Sequence, residues 1–333
     1  HWRSEIRHYS GLENFFDRVE TVYAFDRAIP LGVSKDDVFI ATTWWTAHIA
    51  HKAAMDLNAG RFIYLIQEYE PFTFPLGTFY ALAQETYSFP HFAVFSTELL
   101  REYFRRNRIG VFADGPESGE ENSVSFENAI QSFDLSESEM RTRTKKKLLF
   151  YARPEQHASR NMFELGILAL SRVIVEGHLN TDEWELYGIG SVGQAESIRV
   201  CDDVCMKLLP RVRLKEYAEL LPQFDLGLSL MLTPHPSLLP IEMAGAGMIV
   251  VTNTFANKTA ERMKTISSNI IAGEPTVEGV RLGLIAALEK VHDFKGRLEG
   301  SRVRWSNDWS KSFNDEIMSK IECFIRTRTC GRA

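Results

Sequence analysis

The sequence predicts an α/β protein of two domains, each a parallel β-sheet covered by helices, which face each other across a cleft. Three observations lead to this fold class. The chain has 333 residues, more than a usual single domain. Hydrophobic residues make up 44% of it, which is enough for large cores. Short apolar segments alternate with segments of helical periodicity, which is typical of parallel strands joined by crossover helices.

The second half of the chain shows this alternation most clearly. Its predicted strands are KKLLFYAR, EWELYGIGS, VCMKLLP, DLGLSLML, MIVVTN and SSNIIA. Its predicted helices are SRNMFELGILALSRVIVEG, LKEYAELLPQF, SLLPIEMAGAG and TVEGVRLGLIAALEKVHDF. Thr276 opens the last of these helices and is a suitable N-cap, because its hydroxyl can accept a bond from a free backbone amide.

The first half alternates less regularly. Its predicted strands are DVFIATTWW, RFIYLIQEYEP and HFAVFST, and helices are expected over 46–57, 78–86 and 98–106. The polar segment DLSESEMRTRTKKK has mixed charge and no apolar period, so it is the predicted linker. We therefore expect an N-terminal domain over 1–140 and a C-terminal domain over 141–306. The remaining residues, 307–333, are expected to form a helix that packs back on the N-terminal domain.

Charge and motif content exclude several classes of function. The net charge of -6 argues against a nucleic-acid-binding protein. The spacing of the four cysteines fits no zinc site, and there is no Asp-x-Asp motif, no serine-hydrolase motif and no phosphate-binding loop. No apolar run is long enough to span a bilayer, and no signal peptide opens the chain. These features predict a cytoplasmic protein without a metal site.

One basic amphipathic segment, Leu99–Arg108, could bind a membrane surface. Its leucines and aromatic residues lie beside four arginines. This composition is a candidate for peripheral contact with the anionic inner face of the cell membrane. The alternative is a solvated basic face over core residues.

Two arginines near the start of a predicted helix indicate an anion site. Arg153 follows a strand end, and Arg160 lies in the first turn of the following helix. Basic residues at this end oppose the helix dipole, so they are poorly placed for helix stability but well placed to bind an anion. Two solvated arginines are the alternative.

The start of a second predicted helix is also a candidate anion-binding site. The segment TPHPSLLPIE brings the backbone amides of Ser237, Leu238 and Leu239 to a strand end, with Glu242 about one turn further on. Two helix starts and two arginines can neutralise a diphosphate without a metal, and Glu242 would then accept hydrogen bonds from ribose hydroxyls. The alternative is that Glu242 caps a local backbone feature.

The segment GIGSVG matches the dinucleotide fingerprint in a poor context. No helix of clear periodicity follows it. A nicotinamide site is therefore disfavoured. Gly188 and Gly190 either form a turn at a strand end or let a ligand approach the backbone closely.

These motifs resemble the C-terminal half of retaining, family-4-like GT-B glycosyltransferases, which use nucleotide sugars. The shared order is a strand ending in Ala-Arg (Arg153), a basic residue opening a helix (Arg160), a Gly-x-Gly strand end, and a glutamate (Glu242) before a glycine and a Val-rich strand. The resemblance implies a GT-B fold. Its members carry a further glutamate where this chain has Pro234, so His235 or backbone amides are expected to replace that contact to the donor sugar.

The N-terminal half resembles rhamnosyltransferases that build the rhamnan chains of S-layer glycans and O-antigens. The segments that carry this resemblance are DVFIATTWWTAHIA and YLIQEYEPFTFPLG. It implies dTDP-rhamnose as donor, a growing polysaccharide or lipid-linked glycan as acceptor, no cofactor and no metal. The family opens with a strand and a Gly-rich loop, whereas this chain begins HWRSEIRHYSGLENFF. We expect that strand either to precede His1 or to be absent.

The resemblance also implies which residues take part in the reaction. Glu68, at a strand end, is the preferred catalytic carboxylate because sugar transfer passes through an oxocarbenium-like state. Glu70 and His48 are the other catalytic candidates. Backbone over 208–212, including Leu209, is expected to contact the nucleobase, and Trp44 and Trp45 either stack on sugars or pack in the core. A UDP- or GDP-sugar transferase and a catalytically silent glycan-binding or scaffold subunit are the alternative functions.

Overall fold

A computed structural model describes residues 12–22, 28–193, 195–210 and 212–330. For residues 328–330 it describes the backbone but not the side chains. The chain divides into two compact units, His1–Asp37 and Val38–Ala333. In its described part the first unit carries one short helix, α1 (Phe15–Arg18). The predicted opening of the chain lies largely outside the described residues. Both β-sheets of the described residues lie in the second unit.

The first sheet of this unit has four parallel strands in the order β1-β2-β3-β4. The strands are β1 (Ile40–Ala41), β2 (Phe62–Ile66), β3 (His91–Ser96) and β4 (Ser123–Phe126). The helices between them are α2 (Trp44–Asp56), α3 (Thr78–Glu85), α4 (Glu98–Asn107) and α5 (Pro116–Glu121).

The second sheet has seven strands in the order β11-β10-β9-β5-β6-β8-β7, parallel except for the β7–β8 hairpin. Its strands are β5 (Lys146–Tyr151), β6 (Trp184–Ile189), β7 (Ser197–Cys201), β8 (Val204–Leu208), β9 (Leu226–Leu228), β10 (Ile249–Asn253) and β11 (Ile270–Gly273). The accompanying helices are α6 (Glu137–Thr142), α7 (Phe163–Val175), α8 (Leu214–Leu220), α9 (Leu238–Gly245), α10 (Ala260–Ile266), α11 (Val277–Lys290) and α12 (Phe294–Gly300). Two further helices, α13 (Trp309–Ser312) and α14 (Asp315–Cys330), close the chain.

The sheets are buried on both faces, which explains why their strands read as continuous apolar runs. Every residue of β3 and of β10 is buried. Separate apolar clusters cover each face of each sheet. The predicted α/β class, with two parallel sheets and helices on their faces, is therefore confirmed.

Several local predictions are corrected by tertiary packing. Trp44 and Trp45 begin α2 rather than ending a strand, because Thr43 and Thr46 form a capping box directly after β1. The predicted linker contains α6, whose Met140 is buried although its neighbours are polar. Strands β4 and β7 and helix α10 were not predicted. The expected N-cap is confirmed, since the Thr276 hydroxyl accepts a bond from the Gly279 amide at 2.9 Å.

The C-terminal helices pack against the first sheet. The Phe324 ring of α14 stacks on Phe92 of β3 with 5.1 Å between centroids, and Phe313 lies 4.5 Å from Phe126 of β4. The domain boundaries expected near residues 140 and 306 stay predictions. Within the described part of the chain, no helix combines the length and apolar character needed to cross a membrane.

Candidate functional site

The main candidate site is a cavity of about 460 Å³ at the carboxyl ends of the central strands of the second sheet. Ligands of open α/β sheets bind at this edge. Seven of the predicted binding residues are among those that line it. The full lining is Tyr151, Arg153, Arg160, Asn161, Ile189, Gly190, Val192, Tyr217, Met231, Ser237, Leu238, Leu239 and Glu242.

Arg153 follows β5 and is partly held by its neighbours. Its guanidinium lies 3.0 Å from His157 Nε2, and its Nε is 3.8 Å from a Glu155 carboxylate oxygen. The same carboxylate accepts bonds from the Ser191 hydroxyl at 3.0 Å and the Val192 amide at 2.5 Å. Burial raises the pKa of Glu155, but these two bonds, its own backbone amide and the charge of Arg153 together outweigh burial and lower the pKa below its ordinary value. Glu155 thus ties the glycine-containing loop to the arginine.

The two predicted glycines have different roles. Gly190 has φ of +102°, and a Cβ there would lie 2.5 Å from the Tyr151 ring. Its lack of a side chain therefore lets Tyr151 pack against the loop at the cavity wall. Gly188 does not line the cavity, because a Cβ there would meet Leu208 at 2.6 Å, so its role is close packing between strands.

Arg160 lies in a 3₁₀ turn, Gln156–Asn161, directly before α7. Its carbonyl accepts a bond from the Leu232 amide at 2.8 Å, which fixes the turn beside the end of β9. Its Nη1 reaches across to the first sheet, where it lies 3.1 Å from Glu68 Oε2 and 3.3 Å from Thr73 Oγ1. Arg160 is therefore shared between the cavity and a contact from the other half of the protein.

Helix α9 points its N-terminus at the cavity. Ser237 precedes it with φ of +65°, and its side chain makes no capping bond. The first amides of a helix lack partners within the helix, so those of Leu238 and Leu239 can donate to a ligand. Glu242 lies in the following turn, half-buried, and its Oε2 accepts a bond from the Tyr217 hydroxyl at 2.9 Å. Burial raises the pKa of Glu242, while bonds from Tyr217 and the Gln131 backbone lower it.

His235 does not reach the cavity, although sequence analysis placed it among the binding residues. Its ring is buried; Nδ1 accepts a bond from the Ser237 amide at 3.0 Å, and Nε2 lies 3.3 Å from Ser96 Oγ. Burial lowers the pKa of this imidazole, so the neutral ring donates from Nε2 to Ser96, which bonds in turn to Asn128. The ring turns inward because the amide of its own loop and the end of β3 satisfy both nitrogens.

A second, smaller cavity of about 200 Å³ lies at the carboxyl end of β2 and contains two of the predicted catalytic residues. Burial raises the pKa of Glu70 to about 7, against smaller opposing effects of the Trp44 amide and the Tyr64 hydroxyl. The Tyr64 hydroxyl is 3.3 Å from Glu70 Oε2. The lining residues are Thr42, Thr43, Tyr64, Leu65, Ile66, Gln67, Glu68 and Glu70.

Glu68 lies between the two cavities. One carboxylate oxygen pairs with Arg160, and the other accepts a bond from the Thr233 hydroxyl at the end of the second sheet. Lys258 is fully buried nearby and donates to the Met231 carbonyl at 2.8 Å. Burial lowers the pKa of Lys258 to about 7, and the charge of Glu68 opposes that effect.

His48 and the two tryptophans belong to an aromatic cluster rather than to either cavity. His48 Nε2 bonds to the Leu82 carbonyl at 3.2 Å, and its ring lies 5.1 Å from that of Phe89. Trp44 packs against Phe74 and Phe79, whereas Trp45 is 52% exposed. The hydrogen bond from His48 to Leu82 links α2 to α3, so His48 has a packing role in the structure.

The predicted nucleobase segment borders a neighbouring cavity of about 520 Å³. Leu208, Leu209 and Pro210 line it together with Val192, which also lines the main cavity. The Leu209 amide donates to the Gly188 carbonyl at 2.8 Å, which holds this segment beside β6. Arg211 lies outside the described residues.

The basic segment Leu99–Arg108 forms most of α4, and much of its charge is paired. Arg101 and Arg105 both contact Glu98 and Glu120. Arg106 pairs with Glu102. This pairing reduces the positive charge available to an anionic surface, and membrane contact stays a prediction.

Sequence reasoning missed Tyr151 and Tyr217, which line the main cavity, and Thr233 and Lys258, which interact with Glu68. Tyr217 belongs to a helix that sequence analysis predicted only for its periodicity, and Lys258 follows an apolar strand without any motif. No sequence motif indicates that these residues lie near the site, because they reach it from separate helices, strands and loops.

Comparison with known proteins identifies relatives of both halves. Residues 15–98 match the family domain described as "WsaF, N-terminal domain", and residues 146–285 match "WsaF, C-terminal domain". Together these segments make up more than half of the chain. An O-antigen biosynthesis protein, RfbC of Myxococcus xanthus, is 31% identical over 251 residues. That alignment spans 73% of this chain and 17% of the RfbC length.

Solved structures share the fold at low sequence identity. Anabaena HepE in complex with UDP-glucose has a TM-score of 0.56 at 13% identity, over 88% of this chain and 79% of HepE. The pneumococcal O-GlcNAc transferase GtfA has a TM-score of 0.54 at 15% identity, over 89% of this chain and 58% of GtfA. Sucrose-phosphate synthase of Thermosynechococcus elongatus has a TM-score of 0.56 at 10% identity, over 88% of this chain and 73% of the synthase. These likenesses confirm the GT-B fold that the sequence motifs implied.

Proposed function

We propose, from the premise that the chain belongs to the WsaF family and has the GT-B fold, that it is a glycosyltransferase of polysaccharide biosynthesis. Its donor is dTDP-rhamnose and its acceptor is a growing cell-surface glycan. The donor follows from the sequence resemblance to rhamnosyltransferases of S-layer glycans and O-antigens. The similarity to an O-antigen biosynthesis protein supports the kind of product.

The observation that carries this proposal is the main cavity itself. Arg153, Arg160 and the amides of Leu238 and Leu239 all border one space, with Glu242 a turn further along α9. Two guanidinium groups and a helix N-terminus suit a diphosphate, and a half-buried carboxylate suits the hydroxyl of a pentose. We expect binding to need no metal ion, because these groups can balance the diphosphate charge.

In the proposed reaction the C–O bond between the sugar and the diphosphate breaks, and a new bond forms to an acceptor hydroxyl. The arginines stabilise the charge that grows on the departing diphosphate. The acceptor hydroxyl approaches from the smaller cavity, where Glu70 is the carboxylate best suited to take its proton near neutral pH, because its pKa is about 7. Glu68, preferred from sequence, is instead the group that connects the two cavities. Transfer proceeds with retention of anomeric configuration, as in the family that the motifs resemble.

A thermal-shift and transfer experiment tests the function. The protein is melted with dTDP, dTDP-rhamnose, UDP-glucose and GDP-mannose in the presence of EDTA, alongside Arg153→Ala and Glu242→Ala. Rhamnose transfer to a rhamnose-terminated oligosaccharide is followed by mass spectrometry. We expect stabilisation by dTDP and dTDP-rhamnose that both variants lose.

Other results would redirect the proposal. Stabilisation by UDP- or GDP-sugars alone would keep the transferase and change the donor. No response to any nucleotide would overturn the transferase and favour a glycan-binding subunit, the alternative that Pro234 in place of the family glutamate leaves open.

A further inference from the structure

Lys258 is a buried lysine near the ion pair that joins the two cavities. It is 0% exposed, and among the described residues its Nζ has one hydrogen bond, to the Met231 carbonyl at 2.8 Å. An ammonium group has three donors, so a charged Lys258 leaves donors unsatisfied away from water. Burial accordingly lowers the pKa of Lys258 to about 7, and the neutral amine is well populated at physiological pH.

Three other elements bring charged or titratable groups close to Lys258. Glu68 follows β2, Arg160 lies in the turn before α7, and His235 lies in the loop before α9. The charge of Glu68 raises the pKa of Lys258 against the larger effect of burial. That carboxylate, the lysine and Arg160 all act on the His235 ring. The four groups therefore form one electrostatic cluster, in which the protonation of one member depends on the others.

Helix α4 also contacts this segment, because the Asn257 side-chain amide donates to the Leu99 carbonyl at 2.7 Å. The acids of α4 are already paired with arginines: Glu98 with Arg101 and Arg105, and Glu102 with Arg106 and Arg262. Glu68 is therefore the carboxylate whose charge Lys258 can balance.

Binding of a diphosphate would change the charges within this cluster. Arg160 Nη1 lies 3.1 Å from Glu68 Oε2, and the other Glu68 oxygen accepts a bond from the Thr233 hydroxyl. A diphosphate in the main cavity competes for Arg160, and a partly buried carboxylate that loses its cation is costly. The unpaired carboxylate and the added diphosphate charge both favour the ammonium form of Lys258.

We propose that Lys258 is a positioning residue for donor binding, which takes up a proton as the diphosphate draws Arg160 away from Glu68. The proton comes from the solvent and converts a neutral amine into the counter-charge that Glu68 has lost. Glu68 then stays ionised and bonded to Thr233 while Arg160 binds the diphosphate. Lys258 lines neither cavity, so it acts through the other two residues. This inference rests on the proposed function, because it takes the main cavity to be the diphosphate site.

Donor affinity then depends on pH with a definite sign. Well below pH 7, Lys258 is charged before and after binding, and no proton is taken up. Above pH 7, binding takes up a proton, so affinity falls as pH rises. From pH 7 to pH 9 we expect wild-type affinity for a sugar diphosphate to fall about tenfold. The ligand does not titrate in this interval, because the sugar esterifies its terminal phosphate.

Isothermal titration calorimetry with dTDP-rhamnose and with UDP-glucose tests the proposal. Titrations at pH 7.5 in PIPES, HEPES and Tris count the protons taken up, because the observed enthalpy changes in proportion to the ionisation enthalpy of the buffer. We expect uptake of about half a proton per site in the wild type and much less in Lys258→Met. Lys258→Met should bind about tenfold more weakly than the wild type at pH 7, but within about twofold of it at pH 9.

Four further variants show which group takes up the proton. Lys146→Met is the matched control, since Lys146 lies at the opposite end of β5 and burial lowers its pKa as well. It should keep the wild-type uptake. Glu70→Gln and His235→Gln remove the other titratable groups near the ion pair and should keep most of the uptake. Glu68→Gln leaves Lys258 unchanged but removes the charge that it balances, so this variant should take up little.

The possible results separate the inference from the proposed function. Wild-type proton uptake in Lys258→Met or in Glu68→Gln would overturn the inference and leave donor binding intact. Loss of the uptake in Glu70→Gln or His235→Gln alone would overturn it by assigning the proton to that residue. Equal weakening of Lys258→Met at pH 7 and pH 9 would overturn it by showing a packing role alone. Failure of both nucleotide sugars to bind at any pH would overturn the proposed function and the inference with it.

Discussion

Arg160 and Glu68 form an ion pair that joins the two cavities of this protein, with 3.1 Å between Nη1 and Oε2. Arg160 lines the cavity of the second sheet, and Glu68 lines the cavity of the first. The arginine proposed to bind the donor diphosphate is therefore paired with a carboxylate from the proposed acceptor side. A diphosphate that binds Arg160 must compete with Glu68, so donor binding is coupled to the contact between the two sheets.

Replacement of Glu68 by glutamine should increase donor affinity. Glu68→Gln removes the competing charge, and we expect the Kd for dTDP to fall by about fivefold, or about 1 kcal/mol. Calorimetry at low ionic strength measures this. Glu98→Gln is the matched control, because Glu98 pairs with arginines of α4 away from the cavities. Weaker dTDP binding in Glu68→Gln would instead mean that Glu68 holds Arg160 in the binding position.

Glu70 should make stability depend on pH below neutrality. Its pKa is raised to about 7 in the folded protein, so the folded state holds a proton that the unfolded state has released. The stabilisation from this group is complete below its ordinary pKa and is lost as pH rises through about 7. Urea unfolding between pH 5 and pH 8 should show a decline of about 2 kcal/mol that Glu70→Gln lacks. Glu85→Gln, on the exposed side of α3, should retain it; an identical decline in Glu70→Gln would assign the effect to another group.

Gly190 should tolerate no side chain. Gly190→Ala forces a Cβ to within 2.5 Å of the Tyr151 ring at φ of +102°. We expect a loss of about 2 kcal/mol of stability from the backbone and steric strain, together with weaker dTDP binding. Thermal melts with and without dTDP measure both effects. Gly193→Ala provides the comparison in the same loop, since its Cβ would meet the nearest atom, Ser191 Oγ, only at 3.6 Å. Equal melting temperatures for the two variants would contradict this role of Gly190.

A buried ion pair next to β9 should contribute strongly to the free energy of unfolding of the protein. Arg297 and Asp225 are both fully buried and lie 3.1 Å apart, and Arg297 also bonds to the Gly247 carbonyl at 2.8 Å. Arg297→Met leaves the buried Asp225 with Arg143 as its remaining arginine partner and the Gly247 carbonyl without its donor, and should cost about 3 kcal/mol in urea unfolding. Lys52→Met, which removes an exposed pair with Asp56, should cost less than about 0.5 kcal/mol. A comparable cost for both would contradict the structural role of the buried pair.

Sequence patterns located the residues that we propose to bind the diphosphate, but not the polar residues around them. Arg153, Arg160 and Glu242 each follow a strand end or a helix start, and parallel strands bring those ends to one edge of a sheet. His235 has the same position in the sequence, yet its ring turns inward because Ser96 and the Ser237 amide satisfy it. Nothing in the local sequence distinguishes these two results, since Ser96 belongs to the other sheet.

The sequence by itself determined the alternation of strands and helices, the α/β class and the edge of the sheet that Arg153 and Glu242 share, because periodicity and strand ends are local properties of the chain. The tertiary structure decided which groups share a hydrogen bond. Tyr217 reaches Glu242 across 25 residues, and Glu68 reaches Thr233 across 165. Such pairs depend on how whole elements pack, and so does the burial that raises the pKa of Glu70. The hydrogen bonds that connect the two cavities therefore follow from tertiary packing, whereas the fold class and the position of the candidate site follow from the sequence pattern.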